Sequence, residues 1–398
     1  MTHTPQTKPS VLMIAFTYYR SDPRVIREAE AAVSAGFDVD FMALRRRDDP
    51  AEEKIKDVRV IHLKQDRYQG DGMLGYMLTY LTFFLRCFFK TSRLQLKKNY
   101  RVVHVNNMPD FYVFCALLPK LMGARIFLDI HDPMPNTFVS KFKNRKSGVF
   151  YRLLLWQERI SAAFADHVLT VSDPVKDFVL VKQHGLDASA IEVIANFADD
   201  ELFSLREPRR FEAGLKLVFH GTILERYGLP SVMRALAGIR HRDRITVKII
   251  GDGDYSTQLK ELIATLRLGD VVDFENRLHP VHALPGILQD YNVGLVPLEI
   301  SSITNYALPL KLLEYLSLGM PSITVRNEAI GYYFGEDDLL YYQPDSPDSL
   351  RLLLDRLVEN PAILYHYQER AAILRERFLW SREKKKYAAL LRESTRAD

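Results

Sequence analysis

The chain alternates short, almost wholly apolar runs with amphipathic stretches of helical period, and it does so twice. In the first half the apolar runs fall at residues 11–16, 39–43, 58–63, 102–105, 125–129, 167–171 and 191–195. A strand with hardly a polar position is buried on both faces, as in a parallel sheet covered by helices on each side. Residues 23–35 predict a helix that opens on Pro23, is capped by Asp22 and stops at Gly36, and another is expected from Pro109. The pattern begins afresh at 215–219, 245–250, 271–274, 293–296 and 322–325, with helices starting near Gly228, Tyr255, Val281 and Pro309. A polar, irregular stretch at 196–210 separates the halves. A length of 398 residues exceeds one ordinary core, and 47% hydrophobic with 26% charged residues is globular composition. The expected fold class is α/β, two doubly wound Rossmann-like domains, with a ligand outside the carboxyl ends of the strands.

The most specific segment is Pro309-Leu310-Lys311-Leu312-Leu313-Glu314-Tyr315-Leu316, followed by Gly319 and Pro321. A polar loop here passes into a short helix, so free backbone N–H groups and a lysine converge at a helix N-terminus, a ready site for a diphosphate. Glu314 lies one turn after Lys311 on the same face and is placed to accept hydrogen bonds from both hydroxyls of a ribose. A second phosphate element runs from His220 and Gly221 through Thr222 and Arg226 to Gly228, between a strand and a helix. The diphosphate charge is assigned to Arg226, a planar fork, and Lys311, a mobile point charge. The alternative for either is a solvated surface cation. Gly251-Asp252-Gly253-Asp254 ends one strand and opens a helix, so turn formation and N-capping account for it without a metal. His279 and His282 stay unassigned.

These residues resemble the C-terminal signature of the retaining glycosyltransferases of family 4, which have the GT-B architecture. The usual form is Glu-x7-Glu, then a small-residue helix and Gly-x-Pro. Glu314 matches the second glutamate, which holds the ribose, while Tyr306 stands in place of the first. The lysine-containing Pro-Leu-Lys-Leu-Leu-Glu-Tyr-Leu form is similar to a recurrent subgroup. Where the family commonly has an arginine after the first glycine and a lysine before the second, this chain has Thr222 and Tyr227, with Arg226 one residue earlier. In Leu128-Asp129-Ile130-His131-Asp132, His131 fits the histidine that in the family contacts the donor sugar and supports departure of the leaving group. Asp132 either binds the acceptor or caps its loop. The N-terminal glycine pair of many members is replaced by Thr17-Tyr18-Tyr19-Arg20 and Asp22-Pro23-Arg24. Arg24 there either holds an anion such as an acceptor phosphate or is a surface residue.

The resemblance implies an acceptor-binding domain at 1–205, a nucleotide-sugar domain at 206–378 and a C-terminal helix at 379–398 that returns to the first domain. It implies a UDP- or GDP-sugar donor bound by Gly221, Thr222, Arg226, Lys311 and Glu314, and domain closure that brings His131 over the sugar. Transfer with retention is expected without metal or cofactor, the leaving-group charge being met by cations and helix dipoles. Two rivals stand beside it: a GT-B sugar-nucleotide epimerase, and an inactive nucleotide-sugar-binding scaffold, to which Tyr306 points.

Charge and apolar residues together suggest where such an enzyme works. Residues 1–205 carry 28 Lys+Arg against 24 Asp+Glu, whereas 206–398 carry 26 of each. No acidic residue occurs between Asp71 and Asp110 or between Asp132 and Glu158. Those windows hold Arg86, Lys90, Arg93, Lys97, Lys98 and Arg101, then Lys141, Lys143, Arg145, Lys146 and Arg152. Beside them, residues 73–89 are apolar nearly all round, which requires burial in protein or in lipid. Basic plus apolar is the composition of a surface resting on anionic lipid. The expectation is a cytoplasmic protein attached peripherally to the inner face of a membrane, acting on a glycan or lipid-linked glycan in envelope or exported polysaccharide synthesis. Cys87 and Cys115 lack metal-ligand spacing and are expected to be reduced core thiols. The first ten residues hold no apolar stretch of signal-peptide length. No nucleic-acid motif accompanies the basic windows.

Overall fold

The computed structural model describes residues 8–396 except 69, 71, 142–147 and 212–213. Lys143, Arg145 and Lys146 therefore lie outside the described residues, and so does the side chain of Lys141. Two compact units emerge, one formed by Met1–Asn196 with Arg382–Asp398 and the other by Phe197–Ser381. The division thus falls at Asn196, ahead of the position 205 read from the sequence.

The first unit contains strands β1 (Ser10–Ile14), β2 (Asp38–Leu44), β3 (Glu52–Ile55), β4 (Val58–Leu63), β5 (Val102–Asn106), β6 (Arg125–Ile130), β7 (His167–Thr170) and β8 (Ile191–Val193). They form one sheet in the order β3-β4-β2-β1-β5-β6-β7-β8, parallel except for the β3–β4 pair. Every residue of β1 and β5 is buried, as their largely apolar runs require. Helices α1 (Pro23–Ser34), α2 (Met73–Lys98), α3 (Leu117–Leu121), α4 (Met134–Lys141) and α5 (Val149–Phe164) connect the strands. The helix expected from Pro109 begins as a 3-10 segment, Asp110–Ala116, before α3. Asp22 does not cap α1: its side chain makes no cap hydrogen bond, and its Oδ2 instead lies 3.4 Å from Arg24 Nη2.

In helix α2, protein covers only one side of the apolar run at residues 73–89. Phe83, Cys87, Thr91, Leu94 and Gln95 face inward, with the Phe83 ring 5.0 Å from Phe16 and 5.2 Å from Tyr112. Leu74, Leu78, Leu81, Leu85, Phe89 and Leu96 form an outer stripe that is exposed to solvent. Among the described residues, no helix is long and apolar enough to cross a membrane. Cys87 and Cys115 are buried and free.

The second unit contains β9 (Leu215–His220), β10 (Ile245–Ile250), β11 (Val272–Glu275), β12 (Val293–Val296), β13 (Ser322–Thr324) and β14 (Leu340–Tyr341), all parallel in the order β11-β10-β9-β12-β13-β14. The order reverses between β9 and β12, the switch point where ligands of such sheets bind. Its helices are α6 (Leu229–Ala237), α7 (Ser256–Thr265), α8 (Leu284–Leu288), α9 (Leu310–Ser317), α10 (Glu328–Tyr333), α11 (Pro347–Glu359) and α12 (Ile363–Leu374). The last helix, α13 (Trp380–Arg396), belongs to the first unit from Arg382 onward. There Tyr387 is fully buried and its hydroxyl lies 2.7 Å from His104 Nδ1, while Glu383 Oε2 accepts from Ala195 N at 2.7 Å.

Candidate active site

In the second unit, β9 ends at His220, and Gly221 turns the chain with φ +115°, a conformation that favours glycine. The turn lies across the following loop: Gly221 N donates to Ile250 O at 2.9 Å and Ile223 N to Asp252 O at 3.1 Å. The approach is so close that a Cβ on Gly251 would sit 1.9 Å from Gly221 O. This accounts for the glycine of Gly251-Asp252-Gly253-Asp254, where Asp252 Oδ1 accepts from Gly253 N. N-capping does not contribute, because the residue before α7 is Tyr255 and no side chain caps it.

Across the switch point, α9 carries Lys311 and Glu314 toward this turn. Lys311 Nζ lies 3.5 Å from the centroid of the Phe219 ring and 5.0 Å from that of Tyr227. Arg226, on the surface, has its guanidinium 5.4 Å from the same Tyr227 ring, so both expected diphosphate cations flank one aromatic side chain. Burial pushes the Lys311 ammonium down to about 7, with Glu314 pulling the other way. No described residue makes a hydrogen bond to Lys311 Nζ. Glu314 is buried, with its Oε2 3.2 Å from His220 Nε2 but outside hydrogen-bonding geometry. Its carboxylate makes no hydrogen bond to any described residue. Thr222 is exposed beside the turn.

The polar loop ahead of α9 is held by its own Ser301 and Thr304 and by Asn327, which the sequence did not single out. Thr304 Oγ1 accepts from Ser301 N at 2.8 Å, and Asn327 Nδ2 donates to Thr304 O at 2.6 Å and Ala307 O at 2.9 Å. Asn327 also caps α10 through Ile330 N. Tyr306, where the family has its first glutamate, closes the 3-10 turn Thr304–Tyr306. A separate cavity of about 470 Å³ lies at the amino ends of β9 and β12, lined by Arg209, Lys216, Tyr291 and Asn292. Being at the opposite end from the switch-point loops, it is not the expected ligand site.

In the first unit, His131 follows β6 and is buried, with Nδ1 3.4 Å from Asp129 Oδ2. Its loop is pinned by Asn107, whose Oδ1 accepts from His131 N at 3.2 Å and Asp132 N at 3.4 Å, and whose Nδ2 donates to Asp132 O at 2.9 Å. The Asp132 side chain is exposed. Burial opposes the charge of Arg24, but Asp22, Asp129, Asp132 and Glu28 outweigh it and raise its pKa. Arg24 thus stands among carboxylates as well as at a helix N-terminus. Glu28, His104 and Asp129 each bring a ligand atom within 4.8 Å of the others, a spacing short enough for a divalent cation. Burial first, then the Asp129 charge, lifts Glu28 well above the usual carboxylate range, while Arg24 pulls it down.

Residues 24–202 match the family described as Glycosyltransferase Family 4, and residues 203–375 match Glycosyl transferases group 1. A chitobiosyldiphosphodolichol beta-mannosyltransferase of Kluyveromyces lactis is 24% identical over 215 residues, 54% of this chain and 46% of that protein. The chain thus spans about half the length of this curated relative. Among solved structures, the sucrose-phosphate synthase of Thermosynechococcus elongatus superposes with a TM-score of 0.76 at 17% identity, over 98% of this chain and 100% of the other. HepE of Anabaena in complex with UDP-glucose gives 0.70 at 14% identity, over 96% and 99%. WaaG, a glycosyltransferase of lipopolysaccharide biosynthesis, gives 0.68 at 15%, again over 96% and 99%. These likenesses show the GT-B fold.

Proposed function

We propose, for a chain that belongs through both of its domains to the glycosyltransferases, that it moves a sugar from a nucleotide-sugar to a glycan hydroxyl. The observation that carries this is the Lys311–Glu314 pair at the β9–β12 switch point: a half-buried ammonium and a buried carboxylate, neither side chain hydrogen-bonded to any described residue. A diphosphate supplies the anion that Lys311 lacks, and ribose hydroxyls supply the donors that Glu314 lacks. Arg226 and the backbone at Gly221 and Thr222 complete the diphosphate contacts. The bond from the anomeric carbon to the diphosphate oxygen breaks, and a bond from that carbon to the acceptor oxygen forms. The hydroxyl proton leaves to the departing diphosphate or to water. Attack from the face that the diphosphate leaves gives retention, and the family resemblance assigns His131 to the sugar. No residue of the chain is assigned a metal or cofactor in this scheme. Supporting the donor class, HepE and a trehalose-6-phosphate protein of E. coli were crystallised with UDP-glucose and UDP-2-fluoro glucose.

A thermal-shift series with UDP-, GDP- and ADP-sugars tests the proposal. A cognate donor at 100 times its Kd adds about 2.7 kcal/mol of stability, which is roughly 5–10 °C for a unit of this size. No shift with any of the three classes would overturn it.

The acceptor is proposed to be lipid-linked, on the cytoplasmic face of a membrane, in envelope or exported polysaccharide synthesis. The outer stripe of α2 supports this, with Arg86, Arg93 and Lys97 exposed along its flanks. Leu121 of α3 and Leu153 and Trp156 of α5 are also exposed, and all three helices lie against or beside the segment Asp110–Ala116. Each cation near an anionic surface adds about 1 kcal/mol, and the apolar side chains add their own burial. Flotation should carry the protein with anionic liposomes and leave it behind with neutral ones. Charge reversal at Arg86, Arg93 and Lys97 should abolish flotation without altering the donor thermal shift. A wild-type protein that ignores anionic liposomes would refute the attachment.

A further inference from the structure

The buried polar group beneath the His131 loop has no part in the transfer chemistry as set out, yet it meets the loop at one atom. We propose that Asp129 is a positioning residue: it takes the Nδ1 proton of His131 from below and so presents Nε2 outward as a hydrogen-bond acceptor. The inference rests on reading His131 as the sugar-facing histidine, and it adds which ring nitrogen faces the sugar and in which state.

Three observations carry it. Asp129 and His131 are two residues apart at the end of β6, a spacing that in extended chain puts both side chains on one face of the sheet. Asp129 is only 3% exposed and His131 7%, and the Oδ2–Nδ1 separation is 3.4 Å. That is long for a hydrogen bond, and such contacts shorten when the imidazole gains positive charge during a reaction. No described residue hydrogen-bonds to Nε2. The backbone on either side is held independently, because Asn107 grips both the His131 and Asp132 N–H groups. Ring and chain are thus fixed by different side chains, as precise placement of a reacting group needs.

The charges around the pair favour one anion at that spot. From α1 come Arg24 and Glu28, from β5 comes His104, from α13 comes Tyr387, and Asp132 lies in the loop itself. Burial and the Asp129 charge raise Glu28. Burial lowers His104 to about 4, so it is neutral, with the Tyr387 hydroxyl at its Nδ1. Burial would raise Asp129, but the hydrogen bond from His131, with the charge of Arg24 beside it, outweighs burial and holds Asp129 below the usual carboxylate range. An ionised carboxylate at Nδ1 fixes the neutral imidazole in the Nδ1–H tautomer. Nε2 then carries a lone pair, which suits a sugar hydroxyl rather than a phosphate oxygen.

The test needs the full chain, with nitrogen-15 in its histidines. The resonance lost in His131→Gln should show the Nδ1–H tautomer in the wild type at pH 8 and shift toward Nε2–H in Asp129→Asn. Turnover is read as nucleoside diphosphate released from UDP-glucose and from GDP-mannose. Asp129→Asn should lower kcat ~100-fold or more, the low end for a proton-handling group, with donor KM within about twofold. Glu28→Gln, a near-isosteric change on α1, should keep at least about half the wild-type kcat. A wild-type Nε2–H tautomer, or an Asp129→Asn kcat equal to wild type, overturns the proposal. If Asp129→Asn does not fold, the wild-type tautomer decides alone. Full activity in His131→Gln would instead remove His131 from the reaction and leave the tautomer assignment standing.

Discussion

Replacing Lys311 by methionine separates two consequences of its burial. The ammonium sits 3.5 Å over Phe219, and burial moves its pKa from near 10.5 to about 7. That difference corresponds to about 5 kcal/mol, and because the residue keeps some solvent contact, roughly half of it is the working figure. The unfolded lysine holds its proton up to about 10.5, whereas the folded one gives it up near 7. Between those values the unfolded chain binds more protons, so stability rises with pH. Below about 7 both states are protonated and the whole penalty stands. Lys311→Met should therefore stabilise the ligand-free protein by about 2–3 kcal/mol at pH 6, the gain shrinking as pH rises through 7 toward 10.5. The bound donor reverses the balance, since its diphosphate needs the ammonium charged. A diphosphate esterified at both ends lacks the ionisation that a terminal phosphate has near pH ~6, so UDP-glucose reports on the protein alone. About half a proton should be taken up per donor bound at pH 7 and about nine-tenths at pH 8. Affinity should fall about tenfold per pH unit above 7 and level off below it. Titration calorimetry in buffers of different ionisation heat measures both. A pH-independent affinity, or a Lys311→Met protein that binds UDP-glucose as the wild type does, would refute the reasoning.

Other variants probe the remaining parts. Glu314→Ala removes the acceptor for ribose hydroxyls, bonds to a charged group worth about 1.5–3 kcal/mol, so donor KM should rise roughly 10–100-fold in steady-state kinetics with Tm little changed. Gly251→Ala sets a methyl 1.9 Å from Gly221 O, and denaturant titration should show a loss above about 2 kcal/mol, together with weakened donor binding. Tyr387→Phe strips the partner from buried His104 Nδ1 and should cost about 1–3 kcal/mol by the same titration, whereas a neutral result would mean that the hydroxyl is replaceable by water.

The strands were legible because burial on both faces leaves few polar residues in them, and that signal needs no partner to be read. Where a strand is not so buried, the signal fails. Glu52–Ile55 pairs antiparallel at the edge of the first sheet and carries Glu52, Glu53 and Lys54, charges that keep a free edge from pairing further but read as loop. Leu340–Tyr341 is too short to show any period. Asp22 before Pro23 has the composition of a cap, yet the guanidinium two residues on draws its carboxylate away, a competition that spacing alone does not reveal.

Site residues divide along the same line. Lys311 and Glu314 share a helix face, so three positions of spacing suffice to pair them. Phe219 beneath the ammonium, Asn327 behind the preceding loop and Asn107 under the His131 loop act across the fold, and only the strand order brings them there. Helix α2 shows the limit most clearly. Its composition announces apolar surface but not which side the sheet takes. The sheet takes the side of Phe83, Cys87 and Leu94, and the other keeps Leu78 at 62% and Phe89 at 68% exposure. Burying one such side chain gains about 1.5–3 kcal/mol, so a helix whose task ended at covering the sheet would gain solubility, at no cost to its core, from polar residues there. Leu74, Leu78, Leu81, Leu85 and Phe89 stand on that side, with arginines rather than acids beside them, the composition that the proposed membrane attachment needs.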